Sequence, residues 1–94
     1  MVIFGNLKID YYIKKMKKII YFTSTWCQPC RTLSPIMEQV REKIPVEKID
    51  VDNAPAVAAA YNVRNIPTVI LVENGEEIRR FTGVKPLNDI LNFI

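Results

Sequence analysis

Hydrophobic and polar positions follow two different periods along this chain. From Lys18 to Thr23, the residues Ile19, Ile20, Tyr21 and Phe22 form an unbroken apolar run of β-branched and aromatic side chains. A strand covered on both faces needs such a run. From Pro29 to Ile44 the period changes. Leu33, Ile36, Met37, Val40 and Ile44 follow at steps of three, one, three and four, which puts them on one face of an amphipathic helix. Pro35 lies inside that helix and is expected to kink it, because it lacks an N–H and crowds the preceding turn. Pro45 marks the exit, and Val46 to Val51 reads as a second strand. Asp52 and Asn53 are candidate caps for a short Ala-rich helix from about Ala54 to Tyr61, with Pro55 in its first turn. Asn62 suits a left-handed stop.

Thr68 to Glu73 is a third apolar strand. Asn74-Gly75 is a two-residue hairpin signal, so Glu76 to Thr82 is expected to be its antiparallel partner, broken at Gly83. Pro86 opens a last helix with Leu87, Ile90, Leu91 and Ile94 on one face. At the start of the chain, residues 1–5 suit a short edge strand. Asn6 to Lys17 suits a helix with lysines opposite Leu7, Ile9, Tyr12, Ile13 and Met16. Met16 also has the form of an alternative start. The order β, α, β, α, β, α, β, β, α predicts an α/β fold. Right-handed crossovers place helices on both faces of one central mixed sheet of four to five strands, and the hairpin supplies an antiparallel edge. The chain has 94 residues, which fits a single domain spanning 1–94.

Charge and composition narrow the function classes. Thirteen Lys+Arg against ten Asp+Glu give a net charge of +3, too weak a basic excess to indicate nucleic acid. Five of the positive residues lie within 8–18, and they read as a solvated face. No run approaches the ~20 apolar residues of a membrane span. The apolar stretch after the lysine cluster is too short for a signal peptide, so a cytoplasmic location is expected. His is absent, which removes His-based acid–base catalysis and most zinc or haem sites.

The two cysteines, Cys27 and Cys30, sit three apart where a strand gives way to a helix. Free N–H groups and the macrodipole at a helix N-terminus stabilise negative charge, which favours thiolate over thiol. Cys27 comes first and is expected to be the exposed nucleophile. Cys30, one turn along, is more shielded and placed to attack a mixed disulfide formed on Cys27. A zinc site would need about four ligands, and two thiols without His do not supply them. A structural disulfide over so short a loop would constrain the unfolded chain little. Redox chemistry is the favoured reading.

Thr25-Trp26-Cys27-Gln28-Pro29-Cys30, followed by Pro35, resembles the active-site segment of thioredoxins. Ile66-Pro67-Thr68 is similar to the cis-proline loop of that family. Asn74-Gly75-Glu76 and Phe81-Thr82-Gly83 match its pattern and spacing. The resemblance runs from about residue 18 to 94 and implies a thioredoxin fold. It also implies residue roles: Cys27 attacks, Cys30 resolves, and Trp26 flanks the site with a flat apolar surface. Pro67 would be cis, leaving the backbone of Ile66 free to pair with an extended substrate segment. Ile66, Gly83 and Val84 would form an apolar rim for partner proteins.

Two departures bear on the chemistry. Gln28 stands where thioredoxins usually carry Gly, and residues between the cysteines tune redox poise; Pro29 keeps the family's second position. Tyr21 stands where a buried Asp is usual, and Lys48 aligns with the Lys that accompanies that Asp. Tyr21 is no carboxylate base, so deprotonation of Cys30 is expected to rely on water or on the Cys27 thiolate. Lys48 is expected to turn to solvent or pair with another acid.

The resulting expectation is a protein-disulfide reductase cycling between Cys27–Cys30 disulfide and dithiol. It would be a monomer with no bound cofactor or metal. Its partners would be disulfide-containing substrate proteins and a regenerating thioredoxin reductase, with no nucleic acid and no membrane. A glutaredoxin-like, glutathione-dependent reductase is the alternative enzyme. A docking subunit that uses the surface around Trp26 without chemistry is the alternative of another class.

Overall fold

The computed structural model describes residues 16–94. The edge strand expected over 1–5, and the helix expected over 6–17 up to its last two residues, lie outside the described residues. Met16 is in a turn and Lys17 in irregular chain. The elements that follow are β1 (Lys18–Thr23), α1 (Gln28–Val40), β2 (Val46–Asp50), α2 (Pro55–Ala60), β3 (Thr68–Glu73), β4 (Glu76–Thr82) and α3 (Leu87–Phe93). Among the described residues the strands form one mixed sheet in the order β2-β1-β3-β4.

β1 and β2 run parallel, from Ile19 opposite Val46 to Thr23 opposite Asp50. β3 runs antiparallel to β1, with Phe22 opposite Thr68. The antiparallel part of the sheet therefore begins one strand earlier than the hairpin alone implies. The cause is the short crossover. Six residues of α2 rise only about 9 Å, whereas a six-residue strand covers about 20 Å. Residues 61–67 turn back, and β3 starts at the end of the sheet where β2 stops. Asn74 and Gly75 have φ of 57° and 83°, as a tight hairpin between right-twisted strands requires. They return the chain as β4, with an irregularity in register at Leu71/Val72.

Successive side chains of β1 and β3 point to opposite faces, and both faces are covered. Ile19, Tyr21, Val69 and Leu71 join Leu33, Met37 and Val40 of α1 and Ile90 of α3 in one core. Ile20, Phe22, Ile70 and Val72 join Ala58 of α2 in the other. This is why the two central strands read as unbroken apolar runs.

Element ends depart from expectation in two places. α1 stops at Val40 rather than Ile44, because Lys43 and Ile44 both donate to the Val40 carbonyl and close the helix in turns. Ile44 stays buried all the same. The N-cap of α2 is Ala54, with no side-chain cap; Asp52 is engaged elsewhere. Asn62 is left-handed, with φ 56°. In α3, Phe93 adds an edge-to-face contact with Phe81, ring centroids 5.1 Å apart. Among the described residues, no helix is long and apolar enough to cross a membrane.

Candidate active site

The site forms where β1 ends and α1 begins. Cys27 is the N-cap of α1, with extended backbone at φ −93°, ψ 113°. Its Sγ accepts the Cys30 amide N–H at 3.2 Å. That amide is one of the donors a helix start leaves without an intrahelical partner, and here it points at sulfur. Cys27 and Cys30 are joined as a disulfide. In this oxidised form Cys27 is 5% exposed and Cys30 1%. Both are buried, and the open exposure expected of Cys27 is not seen. Gln28 and Pro29 are exposed in the first turn, where a missing proline N–H breaks no helical bond.

Trp26 is 66% exposed, so it is not part of the core. Its indole Nε1–H donates to Asp52 Oδ2 at 2.6 Å, and its backbone N–H donates to Ser24 Oγ at 3.2 Å. The Ser24 hydroxyl in turn donates to the same Asp52 oxygen at 3.2 Å. Asp52 lies just past β2 and is held there by its own amide, which donates to Asp50 Oδ1 at 2.8 Å. Sequence reasoning cast Asp52 as a helix cap and missed this role. A usable signal was present: parallel neighbours end side by side, so a carboxylate just after β2 falls next to the loop after β1. Arg31 adds a further tie, donating to the Thr25 carbonyl at 3.1 Å.

The Ile66–Pro67 bond is cis. Pro67 is buried and Ile66 half-buried. The β3 ladder starts at Thr68, so the backbone of Ile66 lies outside it. The Gly83 N–H donates to the Pro67 carbonyl at 2.9 Å, which brings the 66–67 and 83–84 segments together. Gly83 has φ 85°, a value that suits glycine, and Val84 is 43% exposed.

Tyr21 is buried among the core residues facing α1. Its hydroxyl donates to the Cys30 carbonyl at 3.1 Å and lies 2.9 Å from Ser34 Oγ. Lys48 is opposite Tyr21 in the β1–β2 register but turns its side chain to solvent. It lines a cleft of about 820 Å³ together with Cys30, Ser34, Glu38 and Asp50. Among the described residues, no cluster of three or more His, Cys, Asp or Glu has the arrangement of a metal site.

The thioredoxin family model matches residues 6–94. The chain belongs to the thioredoxin family. It is 35% identical over 79 residues to a thioredoxin of Chlamydia trachomatis, covering 81% of this chain and 78% of that one. It is 41% identical over 71 residues to a thioredoxin-like protein of Synechocystis, covering 71% and 68% of the two chains. The structure of a mutant thioredoxin from Halobacterium salinarum superposes with a TM-score of 0.81 at 33% identity, covering 90% of this chain and 77% of the other. With the thioredoxin fold and a Cys27–Cys30 disulfide at the head of α1, this chain is a thiol–disulfide oxidoreductase with protein-disulfide reductase activity.

Proposed function

We propose that this thioredoxin-family protein works as a monomeric reductant of disulfide-containing proteins in the cytoplasm and is returned to the dithiol by a thioredoxin reductase. One observation carries the reading: the Cys27 sulfur sits on the N-cap of α1 and accepts the Cys30 amide N–H. In the reduced protein the same amide and the helix dipole stabilise a Cys27 thiolate.

That thiolate attacks one sulfur of a substrate disulfide. A Cys27–substrate bond forms, the substrate S–S bond breaks, and one substrate thiolate leaves. Cys30 then loses its proton to water and attacks the Cys27 sulfur. The Cys27–Cys30 bond forms and the second substrate thiolate leaves, taking up a proton. Two electrons have passed from protein to substrate, and no bound cofactor is required. Trp26, hydrogen-bonded to Asp52, and Ile66, Pro67, Gly83 and Val84 form the surface on which substrate docks. An extended substrate strand pairs with the free backbone of Ile66. Gln28 and Pro29 border the sulfurs and set the redox poise. Lys48, exposed in the cleft beside Cys30, tunes the field there.

The test uses an oxidised protein substrate such as insulin and a thioredoxin reductase with NADPH. Turnover is expected in wild type and lost in Cys27→Ser. Cys30→Ser is expected to accumulate a substrate mixed disulfide on Cys27. Turnover with glutathione and its reductase alone, but none with thioredoxin reductase, would overturn the reading in favour of glutathione chemistry.

A further inference from the structure

Tyr21 is 1% exposed and carries a hydroxyl into the apolar core packed against α1. A buried hydroxyl is costly unless it is hydrogen-bonded. Both partners of this one lie on α1: the Cys30 carbonyl at 3.1 Å and Ser34 Oγ at 2.9 Å. A phenol has a single proton to donate. With that proton on the Cys30 carbonyl, the Ser34 hydroxyl must be the donor to Tyr21. The result is a directed chain from Ser34 to Tyr21 to the Cys30 carbonyl, in which each bond polarises the next.

The place of this chain on the helix is specific. Cys30 and Ser34 are four residues apart and so lie on one face, a turn from each other. The next residue, Pro35, is inside α1 and has no N–H, so the Arg31 carbonyl lacks its helical donor. The ladder is missing a rung one turn from the sulfurs. Tyr21 braces the helix from β1 at that point.

We propose that Tyr21 and Ser34 are positioning residues for the resolving step. In the mixed disulfide, Cys27 is bonded to substrate and no covalent bond holds Cys30 against it. The Tyr21–Ser34 brace keeps the first turn of α1 in place, so that the Cys30 thiolate stays in line with the Cys27 sulfur. Its attack forms the Cys27–Cys30 bond and expels the substrate thiolate. Tyr21 acts here through the Cys30 backbone and takes no proton. The inference rests on the reductase reading above and adds the pair of hydroxyls that governs its second half.

Stopped-flow reaction of the reduced protein with excess Ellman's reagent separates the two halves. The first coloured thiol reports attack by Cys27, and the second reports resolution by Cys30. Loss of one buried hydrogen bond should slow resolution about fivefold, equivalent to ~1 kcal/mol. Ser34→Ala, which removes one of the two bonds, is expected to slow the second phase by that factor; Tyr21→Phe, which removes both, is expected to slow it by at least that factor, and each should leave the first phase within twofold. Ser34→Thr, which keeps the hydroxyl, should restore the second phase. Resolution at the wild-type rate in both Phe and Ala variants would overturn the positioning role alone, provided wild type still reduces insulin. Equal slowing of both phases would also overturn it, by showing a general loss of structure. A wild type with no second phase would overturn the reductase reading together with this one.

Discussion

Replacing Asp52 with Ala should loosen Trp26 and expose how far the active-site surface depends on a residue outside the cysteine motif. The Asp52 carboxylate accepts the indole N–H at 2.6 Å and the Ser24 hydroxyl at 3.2 Å. Hydrogen bonds to a charged acceptor contribute ~1.5–3 kcal/mol where buried. Trp26 is 66% exposed, so water competes for the indole bond and ~1 kcal/mol is the reasonable net figure for the pair. At an unfolding entropy of ~2.1 cal/mol/K per residue, a loss of ~1 kcal/mol lowers the Tm of a chain this size by about 5 °C. The chain has a single tryptophan, so its fluorescence reports this site alone. Asp52→Ala is expected to change the emission and lower the anisotropy of Trp26, lower the Tm by about 5 °C, and slow substrate attack by Cys27. Asp52→Asn, which retains an acceptor oxygen, should recover part of each effect. Unchanged Trp26 emission and anisotropy in Asp52→Ala would refute the claim that this carboxylate holds the ring.

Leu33 is fully buried between α1 and the sheet, so Leu33→Ala should cost ~2–5 kcal/mol in denaturant unfolding; a loss below ~1 kcal/mol would mean that this core is not tightly packed. The Arg80 guanidinium bonded to Glu77 holds the Glu77 carboxyl below its ordinary value. A depressed carboxyl stabilises the fold above its unfolded value and loses that stabilisation as pH falls through its folded value. Both side chains are about a third exposed, which limits the pair to under ~1 kcal/mol. Wild type should therefore be slightly more stable than Glu77→Gln at pH 7, and the gap should close on acidification below about pH 4; a gap that widens there would contradict the ion pair.

Much of this architecture is written in local pattern. The boundaries of β3, β4 and their turn follow from an apolar run, the Asn74-Gly75 pair and the break at Gly83. The helical period of Leu33, Met37 and Val40 identifies the buried face of α1, and the position of Cys27 and Cys30 between a strand and a helix identifies the chemistry. These features are legible because each depends on the conformational preference or spacing of neighbouring residues, which a linear sequence contains in full.

Other features depend on which distant residues meet, and only the tertiary structure decides that. The direction of β3 against β1 follows from the length of a crossover across one face of the sheet. Asp52 looks like a helix cap by sequence, yet it holds Trp26, because the parallel ends of β1 and β2 lie side by side. Tyr21 stands out by sequence only as the residue in place of a buried Asp, within an apolar strand. Its hydroxyl acquires a purpose only when α1 packs over β1 and brings the Cys30 carbonyl and Ser34 within hydrogen-bond reach. For hydrogen bonds between residues far apart in sequence, the most that local pattern can offer is which strand ends lie side by side. The bonds themselves exist only once packing has set the distance.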